Sequence, residues 1–316
     1  MIKRIIIAIY KRLTLLSPHI EVLIRSLYWK NVKKLKSLNP NKTHKQVLTK
    51  HVDFGKIEDW LKAQGVKEGD LLIVHSSYDQ LECTGLSPKE IIDRLLALIG
   101  PTGTLCMPVI RKFKGEPKPE EFLTTDMSTM VFNYKIRKTP IVSGLIPYYL
   151  TQYKDAVISH FPYNPLCALG PLAKEMMAQN LVGDFPSAHG ENSCWKFCHD
   201  HDAKICFIGT SWGHHNTMIH IAEEAFGDWH WTDEEWYDKI TFNIIDDKGT
   251  QTKVVHNRKA KWGMIHLAEM NLMNDLMKAH IVKDALIEDC VEVGFEKAKT
   301  LVDFLRRKNK KGYPYF

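Results

Sequence analysis

The sequence predicts an α/β fold, a three-layer α/β/α domain around a mixed central sheet, with a helical extension at its N-terminus. Three observations carry this. Apolar runs of strand length, LLIVHS, TLCMPV and KICFIG, alternate with helical segments, the order that lays helices on both faces of a sheet. A later stretch, KITFNIIDDKGTQTKVVHN, alternates across Asp247-Lys248-Gly249 as a hairpin, so the strands are not all parallel. The first sixteen residues repeat apolar side chains at helical spacing.

In that first stretch Ile2, Ile5, Ile6, Ile9, Leu13 and Leu16 form a stripe bordered by Lys3, Arg4, Lys11 and Arg12. Residues 1–50 read as a basic helical extension and connector, and 51–316 as one domain. DFGKIEDWLKAQGV is a helix closed by Gly65, and LLIVHS is a buried strand. Ser87-Pro88 caps and opens a helix that Gly100-Pro101 stops, and TLCMPV follows as a strand. Arg111 to Met130, rich in charge, reads as a surface loop or flap. GLIPYYLTQ, PLAKEMMAQN and SCWKFCHDH are short helices, and KICFIG is the central strand. After the hairpin, GMIHLAEMNLMNDLMKA and EVGFEKAKTLVDFLRRK read as two closing helices.

The chain has 316 residues, 44% of them hydrophobic, ample for a buried core. Its net charge of +6 is too slight to argue for nucleic acid and is compatible with anionic small ligands. Seven cysteines lie on strands and helices without a short-loop framework, as expected of reduced thiols and a cytoplasmic location. No run reaches the ~20 apolar residues of a membrane span, and the N-terminus lacks a signal-peptide cleavage site.

Chemistry concentrates between Ser187 and Asp228, which holds six of the fifteen histidines. On a helical wheel begun at Thr217, the residues Thr217, His220, Glu223 and Glu224 share a polar face, and Met218, Ile219, Ile221, Ala222, Ala225 and Phe226 fill the opposite one. This helix follows a strand, Gly209 and a Gly-His-His-Asn loop, the place where α/β proteins present catalytic groups. Trp212, Trp229, Trp231 and Trp236 crowd the same region, more like a cleft wall than a solvated face.

These residues resemble the aminoglycoside 3-N-acetyltransferases and their acetyl-CoA-dependent relatives. GENSCWKF (Gly190 to Phe197) is similar to that family's Gly-x-x-Ser-Pro segment, and TMIHIAE (Thr217 to Glu223) to its Thr-x-x-His-x-Ala-Glu helix. GDLLIVHSSYDQL, EIIDRLLALIG and PTGTLCMPV match its opening, and the likeness covers most of residues 55 to 305. Three departures stand out. In HFPYNPLCALG, Phe161 takes the column of a histidine, with His160 shifted by one, and Pro165 takes that of a serine. Cys194 replaces the proline of Gly-x-x-Ser-Pro.

The resemblance implies an N-acetyltransferase that moves an acetyl group from acetyl-CoA to an amine on a sugar, either an aminoglycoside or an amino sugar of a surface polysaccharide. Direct attack in a ternary complex suffices, with His189 and Glu223 as the base unit, His220 as a partner on the same face and Thr217 as a donor to the thioester carbonyl or to CoA. His75, Ser76 and Ser77 at a strand end, with Gly190, Asn192 and Ser193 at a helix start, are expected to grip CoA. His160, Tyr163, Asn164 and Glu224 are expected at the acceptor. The wheel sets Glu224 closer than Glu223 to Thr217 and His220, leaving the two carboxylates in competition.

No metal is expected, although Cys194, Cys198, His199 and His201, with His214, His215, His220 and Glu224, supply ligand types for a rival metal-dependent hydrolase. Cys198 and His199 are adjacent on a helix and point about 100° apart, and a paired second half is missing. A non-catalytic binding protein is the other alternative. The N-terminal stripe must dock on something, a second copy in a homo-oligomer, its own domain or an anionic membrane, in that order of expectation.

Overall fold

The computed structural model describes residues 12–38, 50–229 and 236–310, so Ile2, Ile5, Ile6, Ile9 and Trp231 lie outside the described residues. Along the chain the strands are β1 (Leu71–Ser76), β2 (Thr104–Pro108), β3 (Val131–Lys135), β4 (Val157–Ile158), β5 (Leu166–Leu169), β6 (Lys204–Ile208), β7 (Tyr237–Asp246), β8 (Gly249–Arg258), β9 (Lys283–Ile287) and β10 (Val291–Lys297). Seven form one sheet in the order β4-β5-β2-β1-β6-β10-β9, and β3-β7-β8 form a second. At the centre β1 pairs in parallel with β2 and β6, while β5, β10 and β9 add antiparallel. The sheet is mixed, as its sequence predicts.

Alternation along β1 builds the layers. Leu72 and Val74 face a core with Ile57, Leu61, Ile92 and Leu95 from the helices Phe54–Ala63 and Pro88–Ile99. Leu71 and Ile73 face the other side, with Trp195 from Cys194–Asp200 and Leu301 and Leu305 from Ala298–Asn309. The hairpin also forms as read, with Asp246 opposite Gly249 across a two-residue turn.

Four expectations need correction. EVGFEKAKTLVDFLRRK is not one helix: Val291, Val293 and Phe295 alternate into the core as β10, between β6 and the unanticipated β9, and the helix starts only at Ala298. GMIHLAEMNLMNDLMKA breaks between a π-helical turn, Trp262–His266, and the helix Glu269–Lys278. The Thr217 helix is a 3₁₀ turn, Thr217–His220, followed by one α turn, Ile221–Glu224, so a wheel at 100° per residue misplaces its side chains. Arg111 to Met130 is not simply a surface loop. Phe113 and Met127 are buried, and Phe113 packs edge-on to Phe242 and Tyr163 beneath the small sheet.

The helix Pro18–Lys30, capped by Ser17, lies on the body of the chain. Buried Glu21 accepts from the backbone N–H groups of Met270 and Asn271, at 2.8 and 3.0 Å, and so caps the helix Glu269–Lys278 from outside. Arg25 donates to the Gly263 and Met264 carbonyls and pairs with Glu269. This helix follows the expected stripe, of which Leu13 and Leu16 are exposed and the four isoleucines lie outside the described residues. Among the described residues, no helix is long and apolar enough to cross a membrane.

Candidate active site

β1 and β6 end side by side, the Ser77 N–H donating to the Ile208 carbonyl. Gly209 then turns the chain at φ +68°, where a Cβ would stand 3.1 Å from the Ser77 carbonyl oxygen, so a side chain would force the two strand ends apart. A cavity of about 900 Å³ opens here, and His75, Ser76, Ser77, Thr217 and His220 line it. A second, of about 530 Å³, is lined by Tyr163, His189 and Glu224 together with Glu116, Asp126, Asp238, Lys259 and Lys261. Asn164 and Arg258 border both cavities.

Buried His189 lines the second cavity, beside Asn164 and Arg258. Its Nδ1 lies 3.1 Å from Glu224 Oε1, and its Nε2 lies 3.3 Å from the Asn164 side-chain nitrogen. A carboxylate accepts and an amide nitrogen donates, so the network assigns the proton to Nδ1 and has the Nε2 lone pair accept from Asn164, a contact that must open before Nε2 can take a proton from a substrate. Trp195 steadies the arrangement. Its indole N–H donates to the Asn164 carbonyl at 2.8 Å, holding that residue in its left-handed conformation, φ +47°.

The expected pairing of His189 with Glu223 is corrected. Glu223 turns away and accepts on one oxygen from His220 (2.9 Å), Trp262 (2.9 Å) and Arg258 (2.5 Å). The same Arg258 nitrogen reaches Glu224 at 3.1 Å. The tighter 3₁₀ turn before them rotates both glutamates relative to the wheel. Burial raises Glu224, but the His189 charge and hydrogen bond, with Arg258, outweigh it and hold the carboxyl at about 2. Burial pushes Glu223 up to about 7 against the pull of Arg258 and Trp262. Burial, then the charges of Arg258 and His189, press His220 well below the usual histidine range, so it is neutral.

His75 stacks on Phe207, and burial with the neighbouring His215 lowers it to about 3. Its Nε2 and the Ser76 hydroxyl are buried without a partner among the described residues, beside the larger cavity. The other expected donor-gripping residues do not join them. Gly190, Asn192 and Ser193 line a separate cavity of about 310 Å³ beyond His189, and Ser193 is occupied in capping Lys196 of its own helix. Exposed His160 borders none of the three cavities, because the adjacent Phe161 takes the buried position. Tyr163 and Asn164 do reach the smaller cavity, Tyr163 with a buried hydroxyl unpartnered among the described residues.

Arg258, at the end of β8, was not anticipated. Its only signal is indirect, since two adjacent buried glutamates demand a nearby cation. Of the candidate metal ligands, His199 pairs with Asp200 and His201 with the Phe197 carbonyl, while Cys194 and Cys198 are buried in the core. Among the described residues, no group of three or more His, Cys, Asp or Glu is placed to hold a metal ion.

Comparison with known proteins returns one family. The sequence pattern of the aminoglycoside 3-N-acetyltransferases matches residues 73–307. Aminoglycoside N(3)-acetyltransferase IX of Micromonospora chalcea is 26% identical over 180 residues, 54% of this chain and 62% of that protein. Aminoglycoside N(3)-acetyltransferase IV of Salmonella sp is 28% identical over 174 residues, 52% of this chain and 59% of that protein. The matched stretches thus span about three fifths of these curated relatives. Among solved structures, AAC-IIIb binary with CoASH aligns with a TM-score of 0.63 at 18% identity, covering 83% of this chain and 97% of that one. A mutant of AAC(3)-IVa in complex with a gentamicin aligns with a TM-score of 0.63 at 17% identity, covering 84% and 92%. At these identities the structural likeness speaks to the fold.

Proposed function

This chain belongs to the aminoglycoside 3-N-acetyltransferase family, and from that premise we propose that it transfers the acetyl group of acetyl-CoA to an amino group of an aminoglycoside-type sugar. The observation that carries this is the buried His189–Glu224 pair, which lines the smaller cavity beside Asn164 and Arg258, the residues that border both cavities. An acetyl transferase needs such a junction, because donor and acceptor must enter from different sides and touch at the base.

The larger cavity takes the acetyl-CoA arm, its polar atoms met by His75, Ser76 and Ser77. The smaller takes the amino sugar. Burial, opposed by Lys259, holds Asp238 above the usual carboxylate range, and the facing Asp126 adds to this. An ammonium entering between two such acids relieves their repulsion, the right electrostatics for a cationic sugar. With the Asn164 amide displaced, His189 Nε2 takes a proton from the ammonium, Glu224 stabilises the imidazolium, and the free amine attacks the thioester carbon, with Thr217 donating to the carbonyl oxygen; the C–S bond then breaks and CoA leaves as a thiolate that takes up the second amine proton, giving the amide and CoA thiol. Lys259, 3.9 Å from Asp238, and Lys261 line the same cavity and favour a second acceptor, an amino sugar that also carries a phosphate.

Thiol release from acetyl-CoA against a panel of aminoglycosides and nucleotide-linked amino sugars tests this. Amine-dependent release with the first group is expected, release with the second alone would transfer the assignment to the phosphate-bearing acceptor, and release with neither would refute the proposal.

A further inference from the structure

Among the described residues, helix Pro18–Lys30 is held to the body by one face alone. Glu21, Arg25 and Val22 point inward, through the contacts to Gly263, Met264, Glu269 and Asn271 and the packing of Val22 against the second core. On a wheel the opposite arc, about 100° wide, carries His19, Ile20, Leu23, Leu27 and Lys30. Leu23 and Leu27 are 59% and 56% exposed, and Leu16, just before the helix, is 70% exposed. Leucines usually seek cover, and a row this exposed marks a contact surface.

Charge says what covers it. The first 38 residues hold nine Lys or Arg and a single acid, Glu21, a net of +8 against +6 for the whole chain, so the rest is slightly acidic. Glu21 is buried in its capping role, leaving Arg12, Lys30, Lys33 and Lys34 exposed around the leucines with no exposed acid among residues 12–35. Two such surfaces would repel each other, which argues against a second copy. Nucleic acid would satisfy the cations but not the leucines. We propose that this face docks on an anionic lipid surface, with Leu16, Leu23 and Leu27 entering the headgroup region and Lys30, Lys33 and Lys34 meeting lipid phosphates.

Flotation of the full chain with phosphatidylcholine vesicles, with and without phosphatidylglycerol, tests this. The protein is expected to float with the anionic vesicles at low salt, and to be released at high salt, since each cation near the surface strengthens binding roughly fivefold. Leu23→Glu/Leu27→Glu is expected to weaken partitioning by roughly 10²-fold, with an unchanged melting curve because both positions are exposed. Lys30→Glu/Lys33→Glu/Lys34→Glu is expected to abolish the preference for anionic vesicles. Failure of the full chain to float, or flotation of the leucine variant like the parent, would overturn the proposal. So would sedimentation showing that the leucine variant merely splits an oligomer, or binding to duplex DNA in place of vesicles.

Discussion

His189 Nδ1 and Glu224 Oε1 stand 3.1 Å apart, with both side chains at most 3% exposed. Glu223, one residue away, is committed to Arg258, His220 and Trp262 instead. The two glutamates therefore separate in role: one orients and stabilises the imidazole, the other anchors the helix turn to β8 and the Trp262 segment.

Glu224→Gln is expected to lower kcat by roughly 10²–10⁴-fold, the range of general-base work, and to add little in a His189→Ala background, because residues acting as a unit are non-additive. Glu223→Gln is expected to cost less, about tenfold, through misplaced His220 and Arg258. Steady-state kinetics on the four variants checks this. A near-normal Glu224→Gln beside a collapsed Glu223→Gln would restore the pairing the helical wheel suggested.

The error in that wheel shows what the sequence could express. LLIVHS, TLCMPV and KICFIG announce the parallel centre because buried strands are apolar throughout, and the Asp247-Lys248-Gly249 turn announces the hairpin by its own local chemistry. β10 escapes notice although Val291, Val293 and Phe295 alternate with Glu292, Gly294 and Glu296, because the strand runs into the helix at Ala298 with no turn residue between them and the whole stretch reads as one helix. Tyr163 and Asn164 come from the segment that resembles the family's, and His189 from its chemistry at the turn before Gly190. Arg258 lies 34 residues beyond Glu224 and carries no motif, and the shift from α to 3₁₀ turn at Thr217 is decided by tertiary packing.

Tyr163→Phe removes a buried hydroxyl on the acceptor side of the junction. The KM for the amino sugar is expected to rise about five- to tenfold, as for one lost hydrogen bond, with the KM for acetyl-CoA unchanged. An equal rise in both would move Tyr163 out of the acceptor cavity.

Burial raises Glu296 to about 8, partly offset by the hydrogen bond from Asn216. An acid raised on folding stabilises fully below its unfolded value of about 4.5 and loses that contribution as pH climbs through about 8. Glu223, raised to about 7, works in the same direction, and Glu224, held at about 2, works oppositely, losing its contribution only as pH falls from about 4.5 toward 2. The melting temperature is therefore expected to drop between pH 5 and pH 9, and Glu296→Gln to recover a few kcal/mol at the upper end. A Glu296→Gln curve parallel to the parent's over this range would contradict the assignment.

Glu21→Ala leaves the Met270 and Asn271 N–H groups without their carboxylate. Urea unfolding is expected to show a loss of about 2 kcal/mol, at the upper end for a helix cap because the site is buried. Stability within about 0.5 kcal/mol of the parent would mean that the Pro18–Lys30 helix does not brace the Glu269–Lys278 helix.

The most direct test of the account is the turnover of His189→Ala measured beside its affinity for acetyl-CoA. The junction geometry predicts a fall in kcat of roughly 10³-fold or more with amino-sugar acceptors and a calorimetric Kd for acetyl-CoA within about twofold of the parent's. Turnover within threefold of the parent's, with intact donor binding, would show that His189 is not the base.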